Sequence, residues 1–158
     1  FYYACIVFFL YIWTMIREQS IDHCLRASWQ AVAKMYNEQA SKHDSTMAMA
    51  FVLLNIDHEN GTPSTSLGPQ MGMEATSLSR ILKSMEDKKL IFRERHPEDG
   101  RSVLIKLTDF GKEKREVSKQ SVYRFNEVVT EHISEEKINN FIEVTQTITK
   151  LVNEKSIF

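Results

Sequence analysis

The sequence predicts a mainly α fold of about six helices, with a wing of two to three β-strands. Three observations carry this. Apolar residues recur at steps of three and four along both outer segments, which is the helical period. Ile91 to His96 and Ser102 to Leu107 read instead as two strands joined by Pro97-Glu98-Asp99-Gly100; Pro97 presets φ and Gly100 tolerates φ > 0. Just upstream, two short helical patterns flank Gly72. Helix, glycine turn, helix and hairpin, in that order, make the winged form of the helix-turn-helix.

The chain has 158 residues, 42% of them hydrophobic, enough for one domain with extensions. Four segments are expected: an extension at 1–14, an N-terminal dimerisation helix at 15–44, a winged lobe at 45–108 and C-terminal dimerisation helices at 109–158. Phe1 to Ile16 carries no charge and seven aromatics. As a helix it would span about 24 Å, short of the roughly 30 Å of a bilayer core. It lacks a basic start and a small-residue cleavage site, so it makes a poor signal peptide. The first expectation is an upstream extension outside the functional protein, with Met15 as an ordinary start. A membrane anchor and a segment packed on the domain are the other readings.

From Ser20 to Ser41 the chain reads as one helix, with Ser20 and Asp22 as start signals. Asp44-Ser45 restarts it, and Met47 to Ile56 is almost wholly apolar, as in a central helix. Glu59-Asn60-Gly61 closes that element. Thr62-Pro63-Ser64 is extended, too short to stand alone, and free to pair with the hairpin edge. The next helix is expected near Ser66 to Met71, because Pro69 then falls in its first turn. Glu74 to Lys88 follows, with Leu78, Ile81, Leu82 and Met85 as its apolar stripe. After the hairpin, Thr108 caps a helix reaching about Ile133, with Asp109 favourable to its dipole. Ser134 starts the last helix, whose stripe runs from Ile138 to Val152.

Charge gives a direction. The net charge is −1, yet Glu74 to Arg115 holds eleven Lys/Arg against eight Asp/Glu. A positive lobe on a negative body suits a polyanionic partner. Cys5 and Cys24 match no metal or disulfide spacing, and a reducing cytoplasm fits them. No phosphate loop, dinucleotide fingerprint or zinc-protease motif is present, no cofactor is called for, and an enzyme is not expected. His43-Asp44-Ser45 is a chance order, since triads assemble in space. His58 between Asp57 and Glu59 reads as a solvated loop end rather than a metal site. Trp29, Met35, Tyr36, Met47, Met49 and Phe51 could line a soft pocket, but such a stripe is more often plain core.

With the apolar stripe inward, helical geometry turns Thr76, Arg80 and Lys83 outward and puts Ser77 and Ser79 at the edges. Short hydroxyls allow close approach to DNA, and Arg80 can bond a guanine through two hydrogen bonds. A solvated polar face is the bland alternative. In the wing, Arg93 and Arg95 share one strand face and are expected at phosphates. Asp99 and Arg101, two apart, project to one side, so the carboxylate can aim the guanidinium at a groove. A surface ion pair without a role is the alternative there.

Asp99-Gly100-Arg101-Ser102-Val103-Leu104-Ile105-Lys106-Leu107-Thr108-Asp109-Phe110-Gly111 resembles the wing signature of the MarR (multiple antibiotic resistance regulator) family: Asp-x-Arg, an apolar strand, then Leu-Thr-x-x-Gly. Met73 to Ile91 resembles its recognition helix and exit. The departure is Lys89, where the family pattern has Gly, which weakens the helix C-cap. The resemblance implies a homodimer built by the outer helices. It implies a pseudo-palindromic double-stranded DNA operator, a repressor role, and release by a small aromatic or lipophilic effector. It also makes Cys24, in the first helix, a candidate peroxide sensor, with His23 or Arg26 to lower its pKa; a small buried hydrophobe at a dimer interface is the favoured reading. A protein–protein winged-helix module and a membrane-tethered regulator stand as alternatives.

Overall fold

The computed structural model describes residues 20–99 and 102–157. Expectations placed on residues 1–19, Gly100 and Arg101 lie outside these. The chain divides into two compact units, 1–115 and 116–158.

The first unit holds α1 (Ile21–Ser41), α2 (Met47–Asn55), β1 (Thr62–Pro63), α3 (Ser64–Met71), α4 (Ala75–Asp87), β2 (Ile91–Arg95) and β3 (Val103–Leu107). It also holds the start of α5 (Asp109–His132). The sheet is antiparallel in the order β1-β3-β2, with Thr62 opposite Ile105 and Ile91 opposite Leu107. The expected short extended segment therefore pairs with the second hairpin strand. One core joins the elements: Val52, Leu53 and Ile56, Leu67, then Leu78, Leu82 and Met85, with Ile91, Ile105 and Leu107 from the sheet.

Four local expectations are corrected. The cap of α2 is Thr46, whose Oγ1 accepts the Met49 N–H at 3.2 Å, not Asp44-Ser45. Asp44 instead takes φ +53, and Lys88 Nζ donates to its carboxylate at 2.7 Å and to its carbonyl at 2.8 Å. That hydrogen bond, with the lysine's charge, holds the Asp44 carboxyl below the usual range. Helix α2 closes at Asn55, before Glu59-Asn60-Gly61. Asp57 Oδ1 accepts the Glu59 and Asn60 N–H groups and folds that stretch into a turn of its own. Nor is α2 covered all round, since Phe51 is 41% exposed. Finally, α3 starts at Ser64, two residues before the expected Ser66, so Pro69 lies past its first turn. Proline there removes one bond to a carbonyl four residues back. The helix ends soon after, at Gly72 with φ +61, where Met73 N–H reaches Gly68 O at 2.9 Å.

Helix α4 closes the same way without glycine. Lys89 has φ +56, and Leu90 N–H donates to Met85 O at 2.9 Å. A side chain in the left-handed region costs roughly 1–2 kcal/mol. Glycine offsets part of this through its freer unfolded state, by about 0.4–1 kcal/mol. Lys89→Gly should therefore raise stability by about 0.5–1 kcal/mol. A urea midpoint that moves up tests this; one that moves down contradicts it.

The junction between hairpin and α5 is tight. Thr108 Oγ1 donates to Lys89 O at 2.6 Å and accepts the Gly111 N–H at 2.9 Å. Thr108 N–H donates to Leu90 O at 3.1 Å. The expected cap of α5 thus also grips the turn after α4. Gly111 is buried, and a Cβ there would overlap the Leu90 carbonyl.

The second unit contains the rest of α5 and α6 (Glu135–Asn153), with Ser134 at the N-cap position but making no side-chain cap bond. No residue of α6 is buried; Phe141 is 61% and Val152 55% exposed. Among the described residues no helix is long and apolar enough to cross a membrane.

Candidate nucleic-acid interface

Helix α4 presents the outward face that its periodicity predicts. Leu78, Leu82 and Met85 are buried, while Thr76, Ser77, Ser79, Arg80 and Lys83 are all exposed. The hydroxyls gather in the first half of the helix, where side chains are short and the backbone can come close to a groove floor. The helix dipole adds partial positive charge at that same end.

Ion pairing then selects among the cations of the lobe. Lys88 is held by Asp44 at 2.7 Å, Arg93 by Glu86 at 3.0 Å, Lys106 by Glu94 at 2.8 Å and Lys112 by Asp109 at 3.0 Å. Lys114 sits over the Phe110 ring, 5.2 Å from its centre. Arg80, Lys83, Lys89 and Arg95 make no ion pair among the described residues. The positive charge still open to a partner is concentrated on the outer face of α4 and on the strand leading to the wing tip.

Strand register explains the fate of the two wing arginines. Arg93 lies opposite Ile105 and Arg95 opposite Val103, so both share a face with buried Ile91 and Leu107. Nearer the base, Arg93 meets α4 and its Glu86. Arg95, nearer the tip, is exposed. Lys106, placed in the basic set of the hairpin by sequence, lies on the other face, paired diagonally with Glu94. Asp99 is exposed, and its carbonyl accepts the Ser102 N–H at 2.9 Å to close the wing turn. Its expected partner Arg101 lies outside the described residues.

The remaining candidates are scattered. Cys24 is exposed on α1. Met49 belongs to the core, whereas Trp29 and Phe51 are exposed, so the aromatic and Met-rich set does not line one pocket. His58 lies 3.8 Å from Glu59, and among the described residues no acidic, His or Cys cluster could hold a metal.

Comparisons with known proteins find the same winged-helix fold. The sequence model of the MarR family matches residues 46–103, from the cap of α2 into β3. An HTH-type transcriptional regulator of Bacillus subtilis (strain 168), YdgJ, is 30% identical over 102 residues. That match covers 65% of this chain and 62% of the relative's own length. The HTH-type transcriptional regulator SarZ of Staphylococcus aureus (strain USA300) is 26% identical over 133 residues, 83% of this chain and 90% of SarZ. Among solved structures, the transcriptional repressor CouR bound to a 23-mer DNA duplex shares the fold, with a TM-score of 0.73 at 23% identity. It covers 84% of this chain and 94% of CouR. CouR from Rhodococcus jostii RHA1 bound to p-coumaroyl-CoA gives a TM-score of 0.74 at 21% identity, over 84% of this chain and 93% of CouR. The chain is similar to the MarR family across its winged helix, residues 46–103, the part that carries the match.

Proposed function

We propose that the protein regulates transcription by binding a specific double-stranded DNA operator as a homodimer. The carrying observation is the exposed Thr76, Ser77, Ser79, Arg80 and Lys83 face of α4, set beside a basic two-stranded wing. Arg80 reads a base edge, Lys83 and Arg95 neutralise phosphates, and the wing tip with Asp99 and Arg101 lies against the backbone or minor groove. The relatives' names as HTH-type transcriptional regulators and the DNA-bound CouR structure support this reading.

The dimer is supported by helices that bury nothing in the single chain. Both α1 and α6 lack any buried residue, yet Ile21 and Trp29 on one and Phe141, Val144 and Val152 on the other are apolar and more than half exposed. Faces of that kind are covered by a partner. A two-fold dimer reads a pseudo-palindrome. Repression in the cytoplasm, with release by a small aromatic or lipophilic effector, completes the proposal. CouR, a repressor solved with p-coumaroyl-CoA, is the supporting parallel.

Selection of bound duplexes from a random pool, followed by titration across salt, tests it. The expected result is an inverted repeat whose log affinity falls linearly with log salt, by about 0.9 per phosphate contacted. No enriched sequence, or binding indifferent to salt, would overturn the reading in favour of a protein–protein module.

A further inference from the structure

We propose that Glu86 and Arg93 form a strap that sets the angle of the wing against the reading helix. Arg93 is then a positioning residue and not a phosphate contact. This rests on the reading of α4 and the hairpin as a DNA interface.

The hairpin is attached to α4 at its base, where the Thr108 hydroxyl grips the Lys89 carbonyl at 2.6 Å. The base is fixed as well by Ile91, Ile105 and Leu107 in the core and by β1, which pairs with β3 at Ile105 and Leu104. Arg93 adds a polar tie to α4 at the edge of that base, where the strands leave the core. It lies two residues up β2 on the core-side face, opposite Ile105, and its Nε donates to Glu86 Oε2 at 3.0 Å. Neither side chain has another ion pair among the described residues. Arg93 also lines a groove of about 530 Å³ with Leu78, Ser79 and Leu82 of α4, so its stem follows the helix flank. The pair is partly shielded, at 40% and 37% exposure. For Arg93 to reach a phosphate, it would have to release Glu86 and leave a bare carboxylate near the polyanion. Kept together, the pair is neutral there, and among the described residues Arg95 is left as the cation of β2 without an ion pair.

Four variants test the strap: E86Q, R93Q, the E86Q/R93Q double and the charge-swapped E86R/R93E. In the free protein, amide hydrogen exchange of residues 92–95 and 103–106 should quicken in both single variants and recover in the swap. On the selected operator, each single variant should lose about 1.5- to fivefold in affinity per protomer, the range of an exposed pair. The double should lose no more than either single, the swap should regain most of the affinity, and the salt slope of R93Q should match the unmodified protein. Tighter binding by E86Q would overturn the strap, because it would show Arg93 held back from DNA. A slope smaller by about 0.9 per protomer in R93Q would also overturn it, since that is the mark of a lost phosphate contact. Unchanged exchange in both single variants overturns it without reference to DNA. If no duplex is bound with salt dependence, the regulator reading falls and the exchange result alone decides the strap.

Discussion

Gly111→Ala should destabilise the protein by about 3 kcal/mol or more, the upper range for overpacking a filled site. The added Cβ would overlap the Leu90 carbonyl oxygen and press on its carbon. These are backbone atoms, so no rotamer change relieves the clash. Leu90 cannot retreat, because its N–H is bonded to Met85 O and its own carbonyl accepts the Thr108 N–H. Gly111 cannot retreat either, because its N–H is held by Thr108 Oγ1. For a chain of this size about 3 kcal/mol lowers the thermal midpoint by roughly 6–12 °C. Calorimetry checks the effect. A midpoint within about 2 °C of the unmodified protein would show that α5 can move off the hairpin, contrary to the hydrogen bonding seen.

Arg80→Ala should relax base preference at one base pair of each half-site without abolishing binding. Arg80 is exposed, carries no ion pair among the described residues, and stands beside Thr76, Ser77 and Ser79 on the outward face. A two-hydrogen-bond contact from arginine to guanine is worth about 1–3 kcal/mol of discrimination, so the variant should lose about tenfold to a hundredfold in preference at one base pair of each half-site. Repeating the selection with the variant reads this directly. Arg101→Ala, by contrast, should weaken all sequences together, and Lys83→Ala should reduce the salt slope by about 0.9 per protomer. Equal and sequence-blind losses for Arg80 and Arg101 would contradict the division of labour between helix and wing.

Periodicity made the helices legible. The stripe of Leu78, Leu82 and Met85 fixed the facing of α4, and with it the exposure of Thr76, Arg80 and Lys83. The cap at Thr108 was readable because threonine before Asp109 has few other uses. Local alternatives were less so. Asp44, Ser45 and Thr46 are all good cap residues, and the choice turned on Lys88, forty-four positions away, capturing Asp44. Pro69 argued for a later start of α3, yet a helix that ends at Gly72 tolerates one missing bond. The Glu86–Arg93 pair spans the tight turn at Lys89 and Leu90, whose left-handed residue is a lysine, so no local pattern announces it. The Glu94–Lys106 pair, on the other hand, follows from the hairpin register and was within reach of a register argument.

The sheet's outer strand has a consequence for life at high concentration. A small sheet with a bare flank can recruit the flank of another copy and grow into aggregates. Here the flank beyond β3 is only Thr62 and Pro63, and proline has no N–H with which to template a further strand. The opposite flank, β2, carries Arg93, Glu94 and Arg95 in succession, charges that an incoming strand would have to confront. The wing can therefore stand exposed for a partner while refusing its own kind.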